Sequence, residues 1–192
     1  MPDPKDKDED IEVVFHNEIV FKVVVVGDPE VGKTSLIKRF TQASFTADYI
    51  PTVGVNIAKH VVKAKTSTGK DAEVHLMFWD IAGQQQFYML HQPYFAGAEG
   101  VIFVFDTTRA QSFTNMKEWH KATVKYGIGS APAILVGNKI DLRDQRKIIV
   151  PMAENLAKQL GIDYYETSAL TGENVDKIFM TLTRLMIESK NV

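Results

Sequence analysis

The stretch "IVFKVVVVGDPEVGKTS", Ile19 to Ser35, constrains this chain more than any other part of it. Ile19–Val26 is β-branched and apolar at nearly every position, so both faces of the strand need cover, as in a parallel sheet. The next residues fit G-x-x-x-x-G-K-[ST] through Gly27, Gly32, Lys33 and Thr34, and a helix follows with Leu36, Ile37 and Phe40 on one face. That order matters chemically. A loop leaving a strand can wrap backbone N–H groups around phosphate oxygens, and the helix it enters adds partial positive charge at its N-terminus. Asp28, Pro29, Glu30, Val31 and Gly32 then form the cradle, with Lys33, Thr34 and Ser35 at the helix start. Lys33 reaches the outer phosphates, and the Thr34 hydroxyl takes Mg²⁺. A bare glycine turn before a lysine would explain the same letters but not their placement between strand and helix.

The rest of the chain continues the alternation. "VGVNIAKHVVKAK" and "AEVHLMFWD" flank the polar turn "TSTGKD" and read as a hairpin. Three more strand-like runs follow: "GVIFVFD" (Gly100–Asp106), "PAILVGN" (Pro132–Asn138) and "IDYYETS". Helical patterns lie between and after them. Phe113, Met116, Trp119 and Thr123 share one face, and Ala153, Leu156, Ala157 and Leu160 another, between Pro151 and Gly161. Val175, Ile178, Phe179, Leu182, Leu185 and Met186 line the last. Such a chain predicts an α/β fold, a mostly parallel sheet with helices on both faces. Its ligands bind beyond the carboxyl ends of the strands. The folded part is expected over residues 19–190, after an acidic disordered tail (1–10) and a short extension (11–18) with room for one more strand.

Bulk properties exclude several classes. A net charge of −2 over 192 residues speaks against a strongly basic, nucleic-acid-binding surface. The absence of cysteine removes disulfides, thiolate metal sites and a cysteine nucleophile together. No apolar run approaches the ~20 residues of a membrane span. "MPDPKDKDED" is no signal peptide, and neither Pro2 nor the ending "ESKNV" offers a residue for lipidation. These features predict a cytoplasmic monomer without a lipid anchor, meeting a membrane only through a partner or a removed tail.

Which nucleotide the loop holds is written after the later strands. In "GNKID", an Asp141 carboxylate can accept two hydrogen bonds from the ring N–H and exocyclic amine of guanine. Adenine would turn an acceptor toward it, and a buried polar group facing the wrong partner discriminates strongly. Asn138 can bridge the ring and the loop, while the Lys139 stem covers the base. "ETSAL" then offers the Ala169 N–H to the guanine oxygen, between Ser168 and Leu170. Each segment alone is an ordinary polar loop; together, after successive strands, they point to guanine.

These motifs, in this order from about Val20 to Met186, resemble the Ras superfamily of small GTPases. "YIPTVGVNI", "WDIAGQQQF" and "YFAGA" resemble its Rab branch. The resemblance implies a three-layer P-loop NTPase with a six-stranded sheet, one strand antiparallel. It implies a Mg²⁺-dependent switch that binds GTP and GDP and slowly hydrolyses GTP, in signalling and vesicle traffic. By the same resemblance Phe45 packs on guanine and Tyr49 joins the nucleotide site. Thr52 meets Mg²⁺ and γ-phosphate, Asp80 holds Mg²⁺ through water, and the Gly83 N–H senses γ-phosphate. Gln84 orients the attacking water, so that catalysis rests on Lys33, Thr52 and Gln84, with Gln85 and Gln86 at the surface. Activating proteins, exchange proteins and effectors are expected at residues 45–57 and 80–98. Ile57, Trp79 and Tyr94 serve either as contact residues there or as plain edge packing. A nucleotide-dependent binding module with negligible hydrolysis is the alternative, against which the intact Gln84 and Thr52 speak.

Some residues depart from the family pattern. Pro29 and Glu30 stand where many relatives have small residues. Pro29 has no N–H to give a phosphate, and its ring crowds an incoming arginine finger, so intrinsic hydrolysis should survive while outside activation is altered. No internal arginine stands out as such a finger, which is worth ~10³–10⁵ in rate, so a partner supplying one is expected. Gln85 replaces an acid that can help expel nucleotide in relatives, which puts the exchange mechanism in question. His75, His91 and His120 have no mutual spacing for a metal and read as structural.

Overall fold

A computed structural model describes residues 18–42, 52, 54–83 and 92–192. Six strands form one sheet: β1 (Glu18–Val26), β2 (Val55–Lys65), β3 (Asp71–Ile81), β4 (Gly100–Asp106), β5 (Ala133–Asn138) and β6 (Asp163–Glu166). Their order is β2-β3-β1-β4-β5-β6, and only the β2–β3 pair is antiparallel. The helices are α1 (Lys33–Gln42), α2 (Gln92–Phe95), α3 (Ala110–Thr114), α4 (Met116–Lys125), α5 (Val150–Leu160) and α6 (Val175–Lys190).

The doubly apolar strands fill both layers, as their patterns predict. On β1, Phe21, Val23 and Val25 pack with Leu36, Ile37, Phe179 and Leu182 of α1 and α6. Val24 and Val26 point the other way, into a second core with Phe103, Phe105, Met116, Trp119 and Leu156. A strand buried on both faces cannot slip by one residue without exchanging its two cores, so the register is firmly set.

Local chemistry closes the elements where the sequence places the breaks. The hairpin turn after β2 is held by Gly69 N–H on the Thr66 carbonyl and by Lys70 N–H on the Thr66 hydroxyl. Pro151 sits in the first turn of α5, and Gly161 ends it with φ +70°. The Phe113–Thr123 face is carried by two helices, because the chain bends at Asn115, which caps both α3 and α4. Among the described residues no helix is long and apolar enough to cross a membrane. A cavity of about 390 Å³, bordered by Val101, His120, Ile128, Leu160 and Leu185, lies at the amino ends of β4 and β5, away from the motif residues.

Registry explains how distant motifs meet. Val25 of β1 pairs with Asp80 of β3, so Asp80 lies beside the start of the glycine-rich loop. Asp106 pairs with Asn138, and Gly137 with Glu166, which gathers the ends of β4, β5 and β6. The order reverses between β1 and β4, and the crevice there is where ligands of open α/β sheets bind.

Candidate functional site

At the β1 end, the loop between β1 and α1 turns a row of amides outward from the protein's own bonding. Among the described residues, the N–H groups of Glu30 and Gly32 donate to no protein acceptor, while Val31 closes the turn over Pro29 and Glu30. The first N–H groups of α1 have no intrahelical partner either, by the geometry of any helix start. Two glycines are needed for the close packing around them. A Cβ on Gly32, at φ +99°, would stand 2.2 Å from the Asn138 amide nitrogen. One on Gly83 would stand 2.4 Å from the backbone of Asp28 and Pro29. Glu30 adopts φ +66°, a left-handed conformation that costs a non-glycine residue about 1 kcal/mol.

Lys33 is buried, and its Nζ donates to the carbonyls of Gly27 (2.7 Å) and Asp28 (2.9 Å). Burial lowers its pKa to about 8, against the opposing pull of the Asp80 and Asp28 carboxylates. The Asp28 side chain turns away from the loop. Its Oδ1 accepts from Trp119 Nε1 (3.1 Å) and its Oδ2 from Asn115 Nδ2 (2.7 Å), tying the loop to α4.

Three oxygens converge beside this loop. The Thr34 hydroxyl donates to Asp80 Oδ2 and lies 3.0 Å from the Thr52 hydroxyl. Asp80 is buried, and its Oδ1 has no partner among the described residues. Burial raises the pKa of this carboxyl, while the Thr34 bond and the Lys33 charge lower it. An orphaned buried carboxylate oxygen is costly and calls for a cation. Among the described residues no group of three or more acids or histidines could hold a metal alone. One carboxylate and two hydroxyls fit Mg²⁺, which keeps waters and completes its shell with substrate phosphates.

The base end is built differently. Asn138 is buried and makes three hydrogen bonds to the protein. Its Nδ2 donates to the Val31 carbonyl (2.9 Å), and its Oδ1 accepts from the Thr167 hydroxyl and the Ala169 N–H (both 3.2 Å). It therefore joins the phosphate loop to the β6 loop, and the Ala169 N–H must share or exchange this partner to meet a base. Asp141 Oδ1 accepts from the Ser168 hydroxyl (2.5 Å), which aims the carboxylate. Lys139 has φ +69°, and its Nζ pairs with Asp106 Oδ2 at 2.7 Å, fixing the stem expected over the base.

Sequence reasoning missed Asp106, Arg109, Asn115 and Trp119. Asp106 is legible in retrospect as the one charged residue closing an otherwise apolar strand, with its Oδ1 held by the Thr108 N–H and hydroxyl. The others act across more than 75 positions of chain, a separation no local pattern reveals. Ser35 is half-buried and Leu170 exposed, at the edges of the two ends. Phe45, Tyr49, Gln84, Gln85, Gln86 and His91 lie outside the described residues.

On the outer sheet face, Ile57 is 47% exposed and pairs in register with Trp79. Trp79 is half-buried, 6.4 Å from the Tyr94 ring, and Lys22 Nζ lies 3.8 Å over its indole. The three residues thus form one surface cluster, of which Trp79 and Tyr94 also pack against the second core.

Comparison with known proteins bears on the family of the chain. The Ras family profile matches residues 22–188. The chain is 38% identical over 169 residues to the Ras-related protein SEC4 of Saccharomyces cerevisiae, covering 88% of this chain and 76% of that protein. It is 39% identical over 177 residues to the Ras-related protein Rab-27B of Rattus norvegicus (89% and 81% covered). With the GTP-binding protein ypt1 of Schizosaccharomyces pombe it shares 36% identity over 171 residues (89% and 82%).

Proposed function

The chain belongs to the Ras family, in its Rab-like part; it binds GTP and hydrolyses it to GDP and phosphate, and on that premise we propose how its own residues run the switch. The loop amides of Glu30 and Gly32 hold the phosphates, and Lys33 leaves the Gly27 and Asp28 carbonyls for phosphate oxygens. Charge-assisted bonds of that kind are stronger than those a carbonyl offers. Thr34 and Thr52, with Asp80 through water, would hold Mg²⁺, and the ion would supply neutralisation of charge developing on the phosphate oxygens. The Thr52 backbone and the Gly83 N–H meet the γ-phosphate, and Gln84 orients the water. The water oxygen bonds to the γ-phosphorus as the bond to the bridging oxygen breaks, leaving GDP and phosphate. Loss of the γ-phosphate releases Thr52 and Gly83, so the segments around them change their binding state. Asp141 selects guanine, with Phe45, Tyr49 and the Lys139 stem around the base. Regulators and effectors read the change at the Ile57, Trp79 and Tyr94 cluster.

The observation that carries this reading is the unpartnered Asp80 oxygen beside two hydroxyls, at the mouth of a loop with unpaired amides. Single-turnover GTP hydrolysis with Mg²⁺ tests the catalytic assignment. Gln84→Leu is expected to slow turnover about a hundredfold, the size of one lost transition-state contact, while Gln85→Leu and Gln86→Leu stay near wild type. Equal rates in all four proteins would remove Gln84 from the mechanism.

A further inference from the structure

Arg109, in the connection between β4 and α3, reaches the outer side of the phosphate loop. Its Nη1 donates to the Pro29 carbonyl at 2.9 Å and lies 3.6 Å from Glu30 Oε2. The carbonyls of Gly27 and Asp28 go to Lys33, so Pro29 is the residue of this loop whose carbonyl goes to a second cation. The Pro29–Glu30 peptide is trans, and in a trans peptide the C=O and the N–H point in opposite directions. A guanidinium gripping the Pro29 carbonyl from one side therefore aims the Glu30 N–H to the other, into the cradle. That N–H has no protein acceptor among the described residues. It also stands directly after Pro29, which contributes no donor.

We propose that Arg109 is a positioning residue for GTP hydrolysis, holding the Pro29–Glu30 peptide so that the Glu30 N–H points at the nucleotide's phosphates. Two effects support it. The cation polarises the amide, and hydrogen bonds in series strengthen one another, so the Glu30 N–H becomes a better donor. The grip also holds Glu30 in its left-handed conformation, which a free loop would leave. The Glu30 carboxylate, more than half exposed, keeps the guanidinium over the loop rather than in solvent. Arg109 acts through the peptide and is distinct from an arginine that would touch the transferring phosphate itself. The inference rests on the nucleotide reading above.

The test compares wild type, Arg109→Ala, Arg109→Lys and the distant surface control Lys121→Ala. Readouts are single-turnover GTP hydrolysis and the ³¹P resonance of the β-phosphate in the Mg²⁺–GDP complex, with a thermal melt to check folding. Arg109→Ala is expected to slow hydrolysis about tenfold, the weight of one charge-assisted bond acting at one remove, and to move the β-phosphorus resonance. Arg109→Lys should recover part of both, and Lys121→Ala should change neither. Should Arg109→Ala fail to fold, Arg109→Met keeps the aliphatic stem and carries the same comparison with Arg109→Lys. A wild type that turns over GTP while the neutral variant matches it in rate and ³¹P shift overturns this inference alone. A wild type that turns over no GTP overturns the nucleotide reading beneath it.

Discussion

The two ends of the site solve opposite problems. At the phosphate end, groups are held ready for a ligand: the Glu30 and Gly32 amides and the Asp80 Oδ1 lack partners among the described residues, and a buried lysine bonded to two carbonyls has its charge disfavoured. At the base end nearly everything is already bonded, through Asn138 to three partners, Lys139 to Asp106, and Asp141 to Ser168. Unsatisfied buried groups cost stability that a ligand returns, whereas satisfied ones hold a shape. The phosphate end should therefore respond to what is bound, and the base end should select it.

The comparison can be broken from either side. The largest effect is expected at Asp141, where Asp141→Asn replaces an acceptor with a donor facing the guanine N–H. Guanine nucleotide affinity should fall by about 10⁴, with a gain for xanthine nucleotides, in equilibrium titrations of both. Comparable affinities for GDP in the two proteins would show that this carboxylate does not read the base.

Next come two substitutions with opposite effects on the ligand-free protein. Asn138→Ala strands the Val31 carbonyl, the Thr167 hydroxyl and the Ala169 N–H together, and should cost about 3 kcal/mol in denaturant unfolding. Asp80→Asn keeps an acceptor for Thr34 and removes a buried charge, so ligand-free stability should hold or rise. Its nucleotide affinity should nonetheless drop about a hundredfold in Mg²⁺, and added chelator should no longer matter, since the charge that holds the ion is gone. An Asp80→Asn protein that melts as early as Asn138→Ala would erase the distinction between the two ends.

The smallest predicted effect is that of pH. The Lys33 pKa is lowered to about 8 in the ligand-free fold, and phosphates would draw it back up. Binding then takes up a proton as pH rises through 8, so affinity is full well below that value and falls about fivefold between pH 8 and 9. Ligand-free stability runs the other way. The unfolded chain holds this proton up to about pH 10.5 and the folded one only to about 8, so stability rises with pH across that window. Lys33→Gln should flatten both slopes; a slope that persists in it belongs to another group.

Much of this site was legible in the letters, for identifiable reasons. The loop from Gly27 to Thr34 is contiguous, and the function proposed for it lies in backbone amides whose placement a strand, a glycine spacing and a helix start dictate. Asp141, Lys139 and Ala169 could be proposed because they follow apolar runs, and the parallel sheet puts every such end on one side. What the letters could not show was which side chains are consumed by the protein itself. Asn138 was expected to bridge the base and the loop, and the structure shows its bond to the Val31 carbonyl together with a second tie, to the Ala169 N–H, that no pattern of residues announced. Asp28 looked like one more loop residue, yet its carboxylate faces Trp119 and Asn115.

The sequence by itself determined the layers, the strand order's parallel character and the family. These follow from periodicity and from motifs short enough to be read without knowing what lies opposite. The tertiary structure alone decided how the motifs are braced: Asp106 under Lys139, Trp119 and Asn115 on Asp28, Arg109 on Pro29. Those contacts depend on β1 pairing with β4, on β4 pairing with β5, and on α3 and α4 packing over them. Hydrogen bonds between residues so far apart in the chain depend on register and packing, which no local pattern of residues specifies.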